Sequence, residues 1–316
     1  MLTASVIVPA RDAAETLPRT LACLAHQEFD GEYEVLVVDD GSSDGTVEVG
    51  RTAPGRVTVL EQPPMGPAAA RNLGVQNSSA SLLAFCDADV YPTARWLQSG
   101  IRALRGADII QGKVVPDPSA DLGPFDRTIW VVLETGLFET ANLFTTREAF
   151  EMAGGFEEWI RPGRGKALAE DMWFAYRARR RGASSAFAEE ALAYHAVFPR
   201  TWLEYALERR RLRYFPAMAR QMPELRRTFL YRRLFLNRRS ASFDLALAGA
   251  ALAAALSSPL PLAVAAPYVQ EAYRRSLRAS PMGPGALAVG LADIAADAVG
   301  LAALIEGSLR YRSLLA

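Results

Sequence analysis

The segment Ser81-Leu82-Leu83-Ala84-Phe85-Cys86 runs uncharged into Asp87-Ala88-Asp89 and then into Val90-Tyr91-Pro92. So short an apolar run, stopped by turn residues, reads as a strand buried on both faces, and such strands belong to parallel sheets covered by helices. The two carboxylates then emerge at the strand's carboxyl end, the edge along which open α/β sheets hold their ligands. Carboxylate oxygens there suit a magnesium or manganese ion that also grips a diphosphate, because these ions prefer carboxylate, water and phosphate oxygens. Taken alone, Asp-x-Asp is a weak signal, since aspartate is common at strand-to-loop turns for its own hydrogen bonding. A nucleotide-sugar site is what it suggests, and the rest of the chain has to decide.

The chain opens on a β-branched run, Ser5-Val6-Ile7-Val8-Pro9, which predicts a first strand. With no signal peptide ahead of it, that strand is expected to begin a cytoplasmic catalytic domain. Leu17, Leu21 and Leu24 then recur at helical spacing behind Thr16 and Pro18, so residues 15–27 read as an amphipathic helix with His26 as a structural residue at its end. A second strand is expected at Tyr33–Val38. It ends in Asp39-Asp40-Gly41-Ser42-Ser43-Asp44-Gly45-Thr46, a run that suits a tight turn and caps the next helix. Asp39 and Asp40 are either turn formers or acceptors for a base or ribose. Cys23 and Cys86 both fall inside predicted elements, as reduced buried thiols of a cytosolic protein do.

Val6-Ile7-Val8-Pro9, Val37-Val38-Asp39-Asp40-Gly41-Ser42, Ala70-Arg71-Asn72-Leu73-Gly74 and Asp87-Ala88-Asp89 stand in the order and spacing of family 2 glycosyltransferases. The match continues through Gly154-Gly155-Phe156 and Glu170-Asp171 to His195, so over roughly residues 3–198 the chain resembles these inverting enzymes. The resemblance implies an α/β fold of GT-A type, a Rossmann-like, mostly parallel sheet flanked by helices. One departure is Asp12, where the family usually has Asn after an aromatic residue. Carried onto this sequence, the resemblance puts Pro9, Arg11 and Asp40 around the nucleoside with Asp39 beside them, and Arg71 on the diphosphate. It makes Asp87 a ribose or metal contact and Asp89 a direct metal ligand, with Mn2+ or Mg2+ as cofactor. His195 would complete the metal site or touch the diphosphate. Arg71 suits its part on chemical grounds too, because a guanidinium pairs bidentately with phosphate oxygens and Gly66-Pro67 supplies a loop able to approach a ligand.

The acceptor half is marked by Ala141-Asn142-Leu143-Phe144, Gly154-Gly155-Phe156 and Ala169-Glu170-Asp171-Met172-Trp173. Glu170 opens a helix that runs to Arg181 and stops at Gly182. Acidic residues in a first turn are favoured by the helix dipole alone. In the family the aspartate of this pair is the general base, since an inverting transfer needs one carboxylate to take the acceptor's proton. Asp171 is therefore the expected base, and Asn142, Glu170 and Trp173 are candidates for the acceptor side. The stretch Glu157–Leu168, with Pro162, Gly163 and Gly165, is expected to be a mobile loop over both substrates.

The formal net charge of zero hides an asymmetry. Between Arg200 and Arg239 there are twelve arginines against Glu204, Glu208 and Glu224, interleaved with Trp202, Tyr205, Tyr214, Phe215, Phe229, Tyr231 and Phe235. That pattern predicts amphipathic helices on an anionic membrane surface, with nucleic acid disfavoured as a partner because hydrophobic sequence follows directly. Residues 243–269 carry one charge, Asp244, and are long enough to cross a bilayer, yet the part before Ser257-Ser258-Pro259 gives only about 22 Å of helix. A re-entrant hairpin turning at residues 257–261 keeps Arg274, Arg275 and Arg278 on the side of the arginine cluster. Two spanning helices are the competing reading, and a packed helical pair at a homo-oligomer interface is a third. Asp293 and Asp297, four residues apart in 283–309, share a helix face and make that helix amphipathic.

The expected organisation is a nucleotide-sugar-binding half (1–105), an acceptor half (106–198), arginine-rich interfacial helices (199–242) and a hydrophobic hairpin (243–316). The expected activity is metal-dependent transfer of a sugar from a nucleoside diphosphate to a lipid-linked or envelope-glycan acceptor at the cytoplasmic face of the cell membrane. A tethered nucleotide-sugar-binding protein without catalysis is a second reading, against which Asp87, Asp89 and Asp171 speak. A sugar nucleotidyltransferase would want a glycine-rich basic loop where Pro9-Ala10-Arg11-Asp12-Ala13 stands, and a processive synthase a Gln-x-x-Arg-Trp after the base.

Overall fold

Strand β1 (Ala4–Ala10) is flanked on both sides by parallel neighbours, which is why its residues, Ser5 apart, are apolar rather than alternating. The computed structural model describes residues 2–160, 168–279 and 284–315. Residues 1–121 and 128–197 form one compact unit, and 122–127 with 198–316 form a second.

The first unit is built on a sheet of order β3-β2-β1-β4-β7-β6-β8-β5. Its strands are β1, β2 (Tyr33–Asp39), β3 (Val57–Glu61), β4 (Leu82–Cys86), β5 (Val90–Pro92), β6 (Ile109–Pro116), β7 (Asn142–Thr146) and β8 (Ser185–His195). Pairings β1–β2, β2–β3, β1–β4 and β6–β8 are parallel, whereas β4–β7, β6–β7 and β5–β8 are antiparallel. The sheet is therefore more mixed than the expected one. The connection from β6 to β7 carries no helix, so nothing returns the chain across the sheet face for a parallel entry.

Helices α1 (Leu17–Ala25), α2 (Thr46–Arg51), α3 (Pro67–Gln76), α4 (Trp96–Ala103), α5 (Arg147–Ala153) and α6 (Glu170–Arg180) complete this unit. Leu17, Leu21 and Leu24 of α1 and Trp96 and Leu97 of α4 join Val6, Val8, Val35 and Val37 in one core. Each such side chain, fully buried, contributes about 1.5–3 kcal/mol. Both cysteines are free, Cys86 buried and Cys23 only half-buried.

The second unit is helical: α7 (Trp202–Glu208), α8 (Phe215–Gln221), α9 (Leu225–Thr228), α10 (Arg238–Leu256), α11 (Ala266–Ala279) and α12 (Pro284–Tyr311), with 3-10 turns at Arg209–Tyr214 and Leu260–Ala265. Helix α10 stops at Ser257, which is left-handed with φ 48°, and the chain folds back through the second 3-10 turn. Gly249 permits that return, because a Cβ there would lie 2.6 Å from the carbonyl oxygen of Pro261.

The interior of this unit includes a charged cluster. Asp293, fully buried, accepts from Tyr205 Oη at 3.0 Å and pairs with Arg275 at 3.1 Å and Arg239 at 3.4 Å. Asp297 accepts from Arg239 at 2.7 Å and from Tyr268 Oη at 2.8 Å. The shared face of Asp293 and Asp297 thus points inward onto arginines. Much of the aromatic sequence expected on a membrane surface is also internal: Phe215 and Phe229 pack on a cluster of Ala219, Leu230, Leu304 and Leu315.

Candidate active site

The parallel strands β1, β2 and β4 end at Ala10, Asp39 and Cys86 on one edge of the sheet, which brings Pro9, Arg11, Asp39, Asp40, Asp87 and Asp89 to that edge. The loops after β1 and β2 are stitched together. Asp12, left-handed at φ 47°, accepts from the Ser43 amide at 2.8 Å and its hydroxyl at 3.0 Å, while its own amide donates to Ser42 Oγ at 2.9 Å. Aspartate, like asparagine, tolerates that backbone, so the departure at this position preserves the turn.

Asp39 and Asp40 have different surroundings. Asp39 Oδ2 accepts the amides of Gly41 and Ser42, both at 3.1 Å, and its Oδ1 is buried with no hydrogen-bond partner. Asp40 accepts from Gln62 Nε2 and Met65 N at 2.7 Å and from Gly66 N at 3.0 Å, with Arg11 at 3.7 Å. Asp40, expected to line the nucleoside pocket, is instead the clasp of the loop before α3. The unmet hydrogen-bonding capacity belongs to Asp39, as an acceptor. Gly66 has φ 97°, and a Cβ there would meet Glu158 Oε1 at 2.4 Å, so this position admits only glycine without rearrangement.

Arg71 is buried on α3 and joins two motifs far apart in the chain. Its Nη2 donates to Asp87 Oδ1 at 2.8 Å, its Nη1 to Glu170 Oε1 at 3.2 Å, and its Nε is buried without a partner. The next residue, Asn72, clasps Phe156 through both backbone groups, at 2.8 Å and 2.9 Å, which explains why Ala70–Gly74 and Gly154–Phe156 occur together. Arg71, expected on the diphosphate, is thus held by two carboxylates, one of them that of Glu170, expected on the acceptor side.

Asp171 follows in the first turn of α6, where its Oδ1 accepts from the Met172 amide at 2.7 Å. Burial raises its pKa well above the usual aspartate range, the charges of Glu170 and Glu139 add to the rise, and Arg71 opposes it. Ala169 just before is left-handed at φ 64° without being glycine, a strained conformation of the kind that persists where the surroundings impose it.

The antiparallel register of β5 and β8 sets Val90 opposite His195, and so brings His195 Nε2 to 3.6 Å from Asp89 Oδ2. His195 Nδ1 lies 2.6 Å from the Ala196 carbonyl, so Nδ1 carries a proton that it donates there, and Nε2 is the nitrogen that faces Asp89. Among the described residues no three His, Cys, Asp or Glu side chains gather as a metal cage. One carboxylate and one imidazole fit a divalent ion that takes its other ligands from diphosphate and water.

Asn142, expected on the acceptor side, is committed to the sheet. It is fully buried, accepts from Trp96 Nε1 at 2.8 Å, and donates to the carbonyls of Lys113 at 2.9 Å and Ala191 at 2.8 Å, so no polar atom of its side chain is left for a ligand. Trp173 is half-buried, donates to Glu157 Oε2 at 3.2 Å, and lies beside Trp159. Of the expected loop, residues 161–167 lie outside the described residues; its ends meet where the Leu168 amide donates to the Ile160 carbonyl at 3.1 Å.

The family model for Glycosyl transferase family 2 matches residues 5–156. Glycosyltransferase AglE of Haloferax volcanii is 31% identical over 210 residues, which cover 62% of this chain and 67% of AglE. The chain belongs to glycosyl transferase family 2. A pre-mycofactocin glycosyltransferase of Mycobacterium tuberculosis is 28% identical over 211 residues, 60% of this chain but only 42% of that protein's length. Among solved structures, the mannosyltransferase PcManGT from Pyrobaculum calidifontis in complex with GDP-Man and Mn2+ superimposes with a TM-score of 0.58 at 21% identity, over 96% of this chain and 86% of that one. Residues 1–349 of S. aureus TarS give a TM-score of 0.51 at 19% identity, over 99% and 92% of the two chains. At these identities the likeness is one of fold, and the fold is GT-A.

For this glycosyltransferase, sequence reasoning missed Glu139. It stands between Phe138 and Thr140, just ahead of the motif that begins at Ala141, and burial lifts its carboxyl to about 7. The one available signal was an acid placed in an otherwise uncharged stretch, Gly136–Thr146.

Proposed function

We propose that this glycosyltransferase is an inverting enzyme that moves a sugar from a nucleoside diphosphate to a hydroxyl of a lipid-linked or envelope-glycan acceptor, with Asp171 as general base. The observation that carries the reading is the Arg71 bridge: one guanidinium ties Asp87, at the tip of β4, to Glu170, the residue before Asp171. Donor edge and base are thereby held in one framework. Asp171 takes the proton of the acceptor hydroxyl as the oxygen forms its bond to the anomeric carbon. The bond from that carbon to the diphosphate oxygen breaks on the opposite face, and its electron pair leaves with the nucleoside diphosphate. A raised pKa brings the base closer to neutrality, where proton acceptance is most effective.

Asp39 Oδ1, a buried acceptor without a partner, suits an N–H or O–H of the nucleoside. Asp89 and His195 would hold a divalent cation, which when bound supplies positive charge to the departing diphosphate. PcManGT, whose structure contains GDP-Man and Mn2+, supports that assignment by fold. The test is nucleoside diphosphate release from UDP-, GDP- and dTDP-sugars, with and without manganese, for the wild type, Asp89→Ala and Asp171→Asn. Turnover of one donor that collapses without metal and in both variants supports the reading. Metal-independent turnover indifferent to Asp89 overturns the cation assignment.

Attachment to the cytoplasmic face of a membrane is the second element of the proposal, and the inverted pattern of the helical unit favours it. Two of its helices, Arg238–Leu256 and Gly285–Tyr311, are long and apolar enough to cross a bilayer by length and composition. Only 11% of the first apolar window is buried, which favours an apolar surrounding over a place inside a soluble bundle. Leu252, Leu256, Leu260, Leu287 and Leu291 point outward while Asp293, Asp297, Arg239 and Arg275 point inward. Charges inside and leucines outside is the arrangement demanded when the surrounding solvent is lipid. With Arg210, Arg211, Arg227, Arg232 and Arg233 exposed, the same unit presents positive charge to anionic headgroups.

A further inference from the structure

We propose that Glu139 is an acceptor-binding residue, its carboxylate receiving a hydrogen bond from an acceptor hydroxyl next to the one that Asp171 deprotonates, so that the enzyme takes a vicinal diol of a saccharide or polyol. The proposal rests on the reading of Asp171 as base and adds the chemistry of the acceptor to it.

The position is built, not incidental. Phe138 is left-handed at φ 54° without being glycine, and its ring is locked edge-on against Tyr176 of α6, 5.9 Å between centroids. α6 is the helix that begins with Glu170-Asp171. The carbonyl of Glu139 accepts from Gln111 Nε2 and from the Asn142 amide, both at 3.2 Å, so β6 and β7 pin the backbone from the sheet side. A strained residue cemented between the base helix and the sheet therefore aims Glu139. Such strain is retained where a conformation serves the site.

The residue is half-buried, its Oε2 is buried and lacks any partner, and its charge reaches Asp171, whose pKa it helps to raise. Gln111, which clasps the Glu139 backbone, also keeps its Oε1 buried and unpaired while its Nε2 serves three carbonyls. Two orphan oxygens on touching residues are both acceptors, and what they lack is a donor. A sugar or polyol supplies hydroxyl donors at the spacing of adjacent carbons, and a buried acceptor left unsatisfied is the feature by which sites reject ligands lacking the matching group. The charges acting on Asp171 are those of Glu170, Glu139 and Arg71, and Arg71 in turn pairs with Asp87. None of these groups hydrogen-bonds Glu139 Oε2.

The experiment uses the full chain, with transfer from a panel of nucleotide sugars to methyl glycosides of common hexoses and pentoses and to their monodeoxy analogues, in manganese. In the wild type, removing the hydroxyl adjacent to the one glycosylated should raise the acceptor KM about tenfold, the usual effect of losing a hydrogen bond to a charged group. In Glu139→Ala the acceptor KM should rise by a similar factor with the donor KM unmoved, and the deoxy analogue should then bind no worse than the parent glycoside. Glu139→Gln, which keeps an acceptor oxygen, should recover part of the loss. If the deoxy penalty is the same in Glu139→Ala as in the wild type, or if the donor KM moves instead, the assignment is wrong. Asp171→Asn separates the two readings. A loss of kcat there with the Glu139 effect absent retains the base and rejects the acceptor role; retained kcat removes the base.

Discussion

Asp171 and Glu139 show how environment, not residue type, sets the chemistry of a carboxyl group. Burial raises both, Glu139 to about 7, and at Asp171 the charges of Glu170 and Glu139 add to the rise. A base must be ionised to accept a proton, so kcat should fall as pH drops through the raised Asp171 value. Asp171→Asn should cost a factor of about 100 to 10,000, measured as nucleoside diphosphate release with acceptor present. Glu139 also makes a stability prediction. An acid whose folded pKa lies above its unfolded value contributes stability that is fully present below the unfolded pKa and lost as pH rises through the folded one. The wild type should therefore lose melting temperature relative to Glu139→Gln between pH 5 and pH 8, and a gap that is constant over that range contradicts the burial of this carboxyl. At Arg71, a lysine carries a point charge and cannot span two carboxylates as the planar guanidinium does. Arg71→Lys should lower kcat more than it lowers stability, as seen by comparing turnover with urea unfolding.

At the scale of elements, what matters is which loop each strand end is clasped to. Asn142 begins β7 and serves three partners in three elements, Trp96 of α4, Lys113 of β6 and Ala191 of β8. Asn142→Ala leaves three buried groups unsatisfied and should destabilise the sheet unit by at least about 3 kcal/mol, read from urea denaturation. Gly66→Ala should act differently, because the backbone at φ 97° and the approach to Glu158 concern the loop that Asp40 clasps. Donor affinity should fall by calorimetry, and stability should fall with it by about 1–3 kcal/mol in urea unfolding, because alanine is strained at this backbone. The elements themselves were legible from the sequence. β1, β2 and β4 stand within a residue of the expected runs, and α1 keeps the Leu17, Leu21 and Leu24 stripe while ending at Ala25. Continuous apolar runs and a 3.6-residue stripe are local signals, and burial on one or both faces writes them directly into the chain. The antiparallel entry of β7 had no such signal, since its pairing depends on what the connection before it fails to contain.

For the whole molecule, the consequence is a division between a GT-A unit with an extensive apolar core and a helical unit that buries several charges while leaving many leucines of its long helices exposed. If lipid is the solvent of the second unit, the full chain should float with vesicles, more strongly with anionic than with zwitterionic lipid, and salt should weaken only the anionic component. Leu256→Asp with Leu260→Asp, at positions 61% and 82% exposed, should reduce flotation while leaving circular dichroism unchanged. Flotation unaffected by either change would place the attachment elsewhere or remove it. The sequence pointed to amphipathic surface helices across 199–242, yet several of those arginines and aromatics are internal partners. Arg226 donates to the carbonyls of Arg233 and Leu314, and Phe215 and Phe229 are packed. Composition counts charges and rings but does not say which way they face.

Fold class, the family and the strand-tip aspartates follow from the sequence alone, because each rests on residues adjacent in the chain: an apolar run, a turn, a carboxylate pair at its end. Tertiary structure alone decided how those carboxylates divide the work. Asp39 and Asp40 are neighbours with the same side chain, yet loop residues from Gln62 to Gly66 converge on one and leave an oxygen of the other bare. Asn142 was consumed by the sheet for the same reason, and Glu139 was exposed as a candidate only by what surrounds it. A hydrogen-bonding group's role depends on whether its partners arrive from distant parts of the chain, and that information lies in the packing of elements rather than in any local stretch of residues.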